Sequence, residues 1–169
     1  SLLAWTTTPW TLPSNVGLAV HRELTYVEAK LLATEKSPNE ERIVVGEPLL
    51  KSAAEDRPFE ILKTMCGADL VGLRYEAPLP YAAPENGRAY EVVHGDFVTF
   101  DAGTGVVHLA PGFGEDDNRV CREAGLGFLQ LVETNGAMNA AVTPVAGLFV
   151  KDADPILVKE LKAKGLLFR

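Results

Sequence analysis

Cysteine is scarce in this chain of 169 residues: there are two, Cys66 and Cys121, and they stand 55 positions apart. Neither has a second Cys, or a His pair, at the short spacing that a structural zinc site requires. The sequence therefore excludes a disulfide framework and predicts no metal site. Two reduced thiols are typical of a cytoplasmic protein, which is the location we expect.

Positive charge is in deficit, with 16 Lys and Arg against 23 Asp and Glu, so the formal net charge is −7. A protein that holds nucleic acid along its phosphates carries a basic surplus. Extended binding of DNA or RNA is therefore disfavoured. Contacts with one end of a nucleic acid remain open.

Long apolar runs are also missing. No stretch approaches the ~18 residues that cross a bilayer, so we expect no membrane partner. Nothing resembles a secretory signal, because no basic segment precedes an apolar one. The length favours one domain over residues 1–169. Because the chain opens on Ser1 in an apolar, strand-like stretch, we expect it to be a piece of a longer protein.

What is present is mostly short, β-branched and apolar. Seven segments are typical of strands: Val16–Val20, Thr25–Ala33, Arg42–Val45, Phe59–Met65, Ala89–Val93, Gly105–Leu109 and Phe128–Val132. Three are typical of helices: Glu47–Ala54, Glu115–Ala124 and Asp152–Gly165. In the last of these, Asp154 is expected to cap the helix ahead of Pro155, and Gly165 to close it. The excess of strands predicts a mainly β, α+β fold with a barrel core and short flanking helices.

Two clusters of glycine and proline stand out, and the first is the segment WTTTPWTLPSN, from Trp5 to Asn15. In a strand, three successive threonines place hydroxyls on both faces, and Pro9 then ends regular pairing. Hydroxyls beside two tryptophans favour a lined pocket. The alternative is a solvated threonine face above tryptophans that belong to the core.

The second cluster runs from Asp101 to Asp117 as a turn, a short apolar strand, a glycine-rich loop and an acidic helix start. Glycines allow a ligand to approach the backbone, and His108 lies where the strand meets this loop. The alternative is a half-buried structural imidazole beside acids that favour a helix N-terminus. No dinucleotide fingerprint, phosphate loop or serine elbow is present. The Asp101-Ala102-Gly103 turn lacks the second loop of an aspartic protease.

Together the two clusters resemble the editing (CP1 insertion) domain of class Ia aminoacyl-tRNA synthetases, in its isoleucyl form. The segments WTTTPWTLPSN and GTGVVHLAPGFGEDD match its two signatures, and Leu70–Glu76 resembles the segment that links them. The resemblance implies a closed six-stranded β-barrel with flanking helices. HIGH and KMSKS are absent, so we expect editing without amino-acid activation. ATP, Mg²⁺ and Zn²⁺ would serve the parent enzyme elsewhere, and no cofactor is expected here.

The resemblance also implies an activity: hydrolysis of mischarged valyl-tRNA(Ile), and of valyl-adenylate, with isoleucyl substrates excluded by size. One missing methylene is worth only ~1–3 kcal/mol in a synthetic site, a magnitude established on this very class of enzyme. The expected partners are the 3′-terminal aminoacyl-adenosine of tRNA(Ile), its valine moiety and the rest of the parent synthetase. The alternative is a non-catalytic module that only binds the tRNA acceptor end.

Residue roles follow from the same resemblance. Asp117 would anchor the α-ammonium of the substrate, and His108 would wall its side-chain pocket. Thr6, Thr7 and Thr8 would hold the aminoacyl group, the terminal adenosine and a water. Further substrate-binding residues would be Trp5, Trp10, Asn15, Gly112 and Phe113. Phe113 replaces a histidine of some family members, so a role for a second imidazole is lost.

Overall fold

Short elements and long connections alternate in the computed structural model, which describes residues 1–168. Within this range the strands β1 to β6 are Gly17–Val20, Thr25–Leu31, Glu41–Gly46, Phe59–Cys66, Glu91–His94 and Val107–Leu109. The helices α1 to α3 are Leu50–Ala54, Glu115–Glu123 and Val150–Ala163. Short 3₁₀ helices lie at Pro9–Ser14, Glu47–Leu49, Gly67–Asp69 and Thr143–Val145.

One sheet has the order β3-β2-β4, with β2 antiparallel to both neighbours. The apolar residues of β2 at every second position, Val27, Ala29 and Leu31, are fully buried, as the alternating sequence predicts. Tyr26 is buried as well. Its hydroxyl keeps a hydrogen-bond partner there, because it donates to the carbonyl of Gly105 at 2.7 Å. β2 is therefore the buried centre of this sheet.

The other sheet has the order β5-β1-β6. All four residues of β1 are buried, so its side chains are covered on both faces. His108 lies in β6, and the glycine-rich loop leaves the sheet at the end of that strand. This sheet therefore sets the position of His108 and of the start of the glycine-rich loop.

The prediction of a closed six-stranded barrel is wrong. Among residues 1–168 the strands form two open sheets of three strands each, whereas a barrel pairs every strand on both sides. The predicted strand Phe128–Val132 makes only isolated bridges, to Glu85 and Met138. A Cβ at Gly127 would lie 2.7 Å from the carbonyl oxygen of Glu85, so the two backbones approach closely there. The fold is α+β.

Helix α3 begins earlier than predicted, at Val150 rather than Asp152. Asp154 lies inside the helix and does not cap it; its carboxylate instead accepts the backbone N–H of Trp10 at 2.8 Å. The predicted end is confirmed. Gly165 has φ +67°, and the N–H of Leu166 bonds to the carbonyl of Leu161, as at a glycine-terminated helix.

The chain divides into two compact units, each built from three segments. The first consists of residues 1–5, 18–73 and 92–107 and includes the sheet β3-β2-β4 and α1. The second consists of residues 6–17, 74–91 and the chain from 108 onward, and includes α2 and α3. β1, β5 and β6 each have residues in both. The prediction of one domain over residues 1–169 stays a prediction.

None of the helices within residues 1–168 combines the length and the apolar character that crossing a membrane would need.

Candidate functional site

The threonine-rich segment leads into a 3₁₀ helix, Pro9–Ser14, which begins at a proline because the first N–H of a helix needs no partner. Thr6 and Thr8 are half-buried, while Thr7 is exposed. The hydroxyl of Thr6 accepts the N–H of Thr8 at 3.1 Å and lies 3.4 Å from the Thr8 hydroxyl. The turn just before this helix thus brings two of the three predicted hydroxyls together.

His108 meets this segment through both of its ring nitrogens. Its Nε2 lies 2.9 Å from the hydroxyl of Thr11, and its Nδ1 lies 2.8 Å from Nδ2 of Asn15. All three side chains are buried, with His108 only 8% exposed. The Thr11 hydroxyl also lies 3.3 Å from that of Thr8. The two sequence clusters are therefore joined by a buried polar network in the second unit.

Tyr75 extends the network. Its hydroxyl donates to Oδ1 of Asn15 at 2.5 Å, and its ring packs edge-on against Tyr90 with centroids 6.0 Å apart. Burial is the largest cause that raises the pKa of Tyr75, so its proton stays on the hydroxyl at neutral pH. Tyr75 is a donor here and not an anion.

Asp117 lies in the first turn of α2 and folds back onto the glycine-rich loop. Its Oδ2 accepts the backbone N–H of Ala110 at 2.8 Å. A Cβ at Gly114 would lie 2.9 Å from the other carboxylate oxygen, so the close approach depends on glycine. Burial raises the pKa of Asp117, and the bonds from the N–H groups of Ala110 and Asp117 lower it. The carboxylate is thus half-buried and is held by backbone N–H groups.

Trp10 and Phe113 form an apolar pair from the two clusters, with ring centroids 5.0 Å apart in an edge-to-face arrangement. The indole Nε1 of Trp10 is buried and has no hydrogen-bond partner among residues 1–168. The backbone of Trp10 is held by Asp154 of α3. The pair is therefore a contact between the two sequence clusters within the second unit.

No family model matches the chain. Curated relatives do match. Isoleucine–tRNA ligase of Clostridium tetani is 45% identical over 168 residues, and that of Bdellovibrio bacteriovorus is 40% identical over 172 residues. The first match covers 99% of this chain and 15% of the relative, and the second covers 100% and 16%. Over almost its whole length the chain is therefore similar to one segment of isoleucine–tRNA ligases.

Solved structures agree on the fold. The crystal structure of GlLeuRS-CP1 superposes with a TM-score of 0.73 at 19% identity, covering 98% of this chain and 81% of that one. The Plasmodium knowlesi cytosolic leucyl-tRNA synthetase editing domain gives 0.71 at 12% identity, covering 96% and 81%. The chain therefore shares the fold of these two structures.

The ten predicted site residues are not all brought together in the structure. Five lie in or beside the contacts described above: Thr6, Thr8, Asn15, His108 and, through Ala110, Asp117. Trp10 and Phe113 pack against each other. Gly112 lies close to Gln130, since a Cβ at Gly112 would be 3.3 Å from the Gln130 side chain. Trp5 belongs to the first unit and is 53% exposed. Its predicted role beside the site, like that of exposed Thr7, stays a prediction.

Two residues of the network were not predicted as site residues, Thr11 and Tyr75. Thr11 lies within the first signature, three positions after Thr8, so one turn of a helix brings their hydroxyls together. That spacing was a usable signal. Tyr75 lies 60 positions from Asn15. The sequence signal for it is its position in the linking segment Leu70–Glu76.

His108 is neutral in this domain. Burial lowers its pKa from 6.5 to about 4, because the charged imidazolium loses its hydration. Both nitrogens are already engaged with Thr11 and Asn15. A general base needs a free ring nitrogen and a pKa near the pH at which the enzyme works. His108 has neither, so it does not fit that role.

No group of three or more His, Cys, Asp or Glu side chains within the described residues is placed to hold a metal ion. A surface depression of about 390 Å³ on α2 is lined by Glu115, Asp116, Asn118, Arg119 and Arg122. It includes none of the predicted site residues, and its lining is charged, whereas small-molecule sites are mostly apolar. We assign it no role.

Proposed function

We propose that this editing domain hydrolyses valyl-tRNA(Ile), and valyl-adenylate, and that it excludes isoleucyl substrates by size. The observation that carries the proposal is the buried network that joins the threonine-rich segment to His108. The network contains the hydroxyls of Thr8 and Thr11, and the Trp10–Phe113 pair and the Asp117 carboxylate belong to the same unit. The proposed setting is the cytoplasm, where charged tRNA is made.

Substrate binding is assigned to the groups that remain available around the network. The Asp117 carboxylate receives the α-ammonium in a charge-assisted hydrogen bond. The hydroxyls of Thr6 and Thr8 contact the aminoacyl group and the terminal adenosine. Trp10 and Phe113 offer an apolar wall, 5.0 Å apart between ring centroids. A net charge of −7 suits a domain that handles only the last nucleotide, since few phosphates are contacted.

Size exclusion is assigned to His108. Because hydrogen bonds hold both ring nitrogens, the imidazole cannot turn aside to admit one more methylene. Forcing an extra methylene into a packed site costs ~1–3 kcal/mol. Rejecting the larger side chain here complements a synthetic site that admits the smaller one.

The chemical step needs little from the protein. Water adds to the ester carbonyl carbon, the bond from that carbon to the ribose oxygen breaks, and the water proton passes to this oxygen. The products are valine and a tRNA with a free terminal hydroxyl. Holding an activated ester beside an oriented water supplies much of the rate, so the proposal includes no cofactor in this domain.

Calorimetry with non-hydrolysable valyl- and isoleucyl-adenosine analogues tests the sieve. We expect the valyl analogue to bind at least about tenfold more tightly, which is the ratio for ~1.4 kcal/mol. Equal affinities would overturn the assignment. A second measurement follows the release of valine from valyl-tRNA(Ile) by the chain. Release supports hydrolysis, and analogue binding without any release favours the non-catalytic binding module.

A further inference from the structure

The orientation of the Asn15 amide follows from its surroundings. Its Nδ2 lies 2.9 Å from the carbonyl oxygen of Gly17 and 3.4 Å from that of Leu109. Carbonyl oxygens only accept hydrogen bonds, so the NH₂ group must face them. A reversed amide would set Oδ1 against both carbonyls and leave the Tyr75 hydroxyl without its acceptor. The amide therefore also donates to Nδ1 of His108, at 2.8 Å.

The tautomer of His108 follows from the amide. Because Nδ1 accepts, the single proton of the neutral ring resides on Nε2. Nε2–H then donates to the Thr11 hydroxyl at 2.9 Å, and that hydroxyl donates to the carbonyl of Thr8 at 2.8 Å. Donors and acceptors thus run in one direction from Tyr75 through Asn15 and His108 to the threonines.

We propose that Tyr75 and Asn15 are positioning residues that hold His108 as its Nε2–H tautomer and so align the threonine-rich wall of the editing site. Tyr75 opens the chain of donors. Without it, Oδ1 of Asn15, a residue only 3% exposed, loses its partner, and a buried unpaired acceptor is costly. The consequence for substrate discrimination rests on the proposed function, whereas the tautomer does not.

Heteronuclear NMR of the imidazole nitrogens in the ligand-free chain tests the tautomer. In the wild type we expect one ring form, with a protonated Nε2 and an unprotonated Nδ1. Tyr75→Phe should lose this single form and show mixed or exchanging nitrogen signals. Asn15→Asp should invert it, because a carboxylate at Nδ1 demands a proton there. Amide spectra of each variant show that it is folded.

Tyr90→Phe is the matched control. Tyr90 packs against Tyr75, but no hydrogen bond of its hydroxyl is recorded within residues 1–168, so its removal should leave the nitrogen signals unchanged. A protonated Nδ1 in the wild type would overturn the proposal. So would a wild-type nitrogen pattern in both Tyr75→Phe and Asn15→Asp.

The analogue pair then separates this inference from the proposed function. Tyr75→Phe should lower the ratio of valyl to isoleucyl affinity by about tenfold, the scale of one lost buried hydrogen bond, and Tyr90→Phe should not. A changed nitrogen pattern with an unchanged ratio would overturn the positioning role. A wild type that does not discriminate the analogues would overturn the proposed function and leave the tautomer assignment standing.

Discussion

The side-chain amide of Asn15 donates a hydrogen bond of 2.8 Å to Nδ1 of His108, across 93 positions of sequence. This bond connects the end of the threonine-rich signature with the strand that precedes the glycine-rich loop. It also limits the chemistry of His108, because an imidazole whose two nitrogens are both hydrogen-bonded has no free nitrogen to act as a general base.

Stability should fall on mild acidification because of His108. Its pKa is about 4 in the folded chain against 6.5 when exposed, so the unfolded chain binds the proton first. The contribution is full above pH 6.5 and declines as pH falls toward 4, by about 2 kcal/mol between pH 7 and pH 5. The raised pKa of Asp117 acts with the opposite sign, because the folded chain then binds its proton before the unfolded chain does.

Urea unfolding at pH 7 and pH 5 measures this difference. His108→Gln should remove most of it, and His21→Gln, a change in the first unit, should retain it. An equal pH dependence in the wild type and in His108→Gln would contradict the assignment.

Asp117→Asn should weaken binding of the valyl-adenosine analogue by about tenfold to a hundredfold, since a hydrogen bond to a charged group contributes ~1.5–3 kcal/mol. Asparagine keeps an acceptor for the N–H of Ala110, so the loop should hold its shape. Because burial disfavours the carboxylate, the variant should be no less stable at neutral pH.

Asp116→Asn is the matched control for that experiment. Asp116 is the adjacent acid, has a side chain that is 58% exposed and forms a surface ion pair with Arg119 at 3.2 Å. Such pairs contribute little, so affinity should stay within about twofold of the wild type. Calorimetry that finds equal losses for the two variants would remove Asp117 from its proposed role.

Local patterns predicted local structure well. The alternation in β2 and the end of α3 at Gly165 were both predicted, because period and capping act over a few residues. Barrel closure depends on which distant edges pair, and it was predicted wrongly. The site shows the same division: the signatures identified Asn15 and His108, whereas the part played by Tyr75 depends on a contact across 60 positions.

Asp154 makes a structural hydrogen bond, but with a different partner from the one predicted. The sequence predicts it as a helix cap, but its carboxylate accepts the N–H of Trp10 at 2.8 Å and ties α3 to the 3₁₀ helix Pro9–Ser14. Asp154→Ala should therefore cost ~1–3 kcal/mol, through an unpaired N–H. Asp152→Ala, an exposed change in the first turn of α3, should cost under about 1 kcal/mol. Unfolding in urea ranks the two variants, and a reversed order would contradict this account.

Two glycines, Gly105 and Gly125, have a left-handed backbone conformation. Gly105 has φ +75° and Gly125 has φ +68°, so alanine strains the backbone at either position, by ~1 kcal/mol. They differ in space. A Cβ at Gly105 would lie 2.4 Å from Cε1 of Phe100, whereas at Gly125 nothing lies within 4 Å. Overpacking adds ~1–3 kcal/mol, so Gly105→Ala should destabilise the chain by about 2–4 kcal/mol and Gly125→Ala by about 1.

A double-mutant cycle isolates the steric part of that difference. Phe100 packs edge-on against Tyr26 with centroids 5.3 Å apart, so its ring cannot simply swing away from a new methyl group. Phe100→Leu removes ring atoms from the contact, and in that background Gly105→Ala should cost little more than the backbone strain. Free energies of unfolding from urea titrations supply all four corners of the cycle. Strictly additive losses would show that the Phe100 contact does not set the requirement for glycine at position 105.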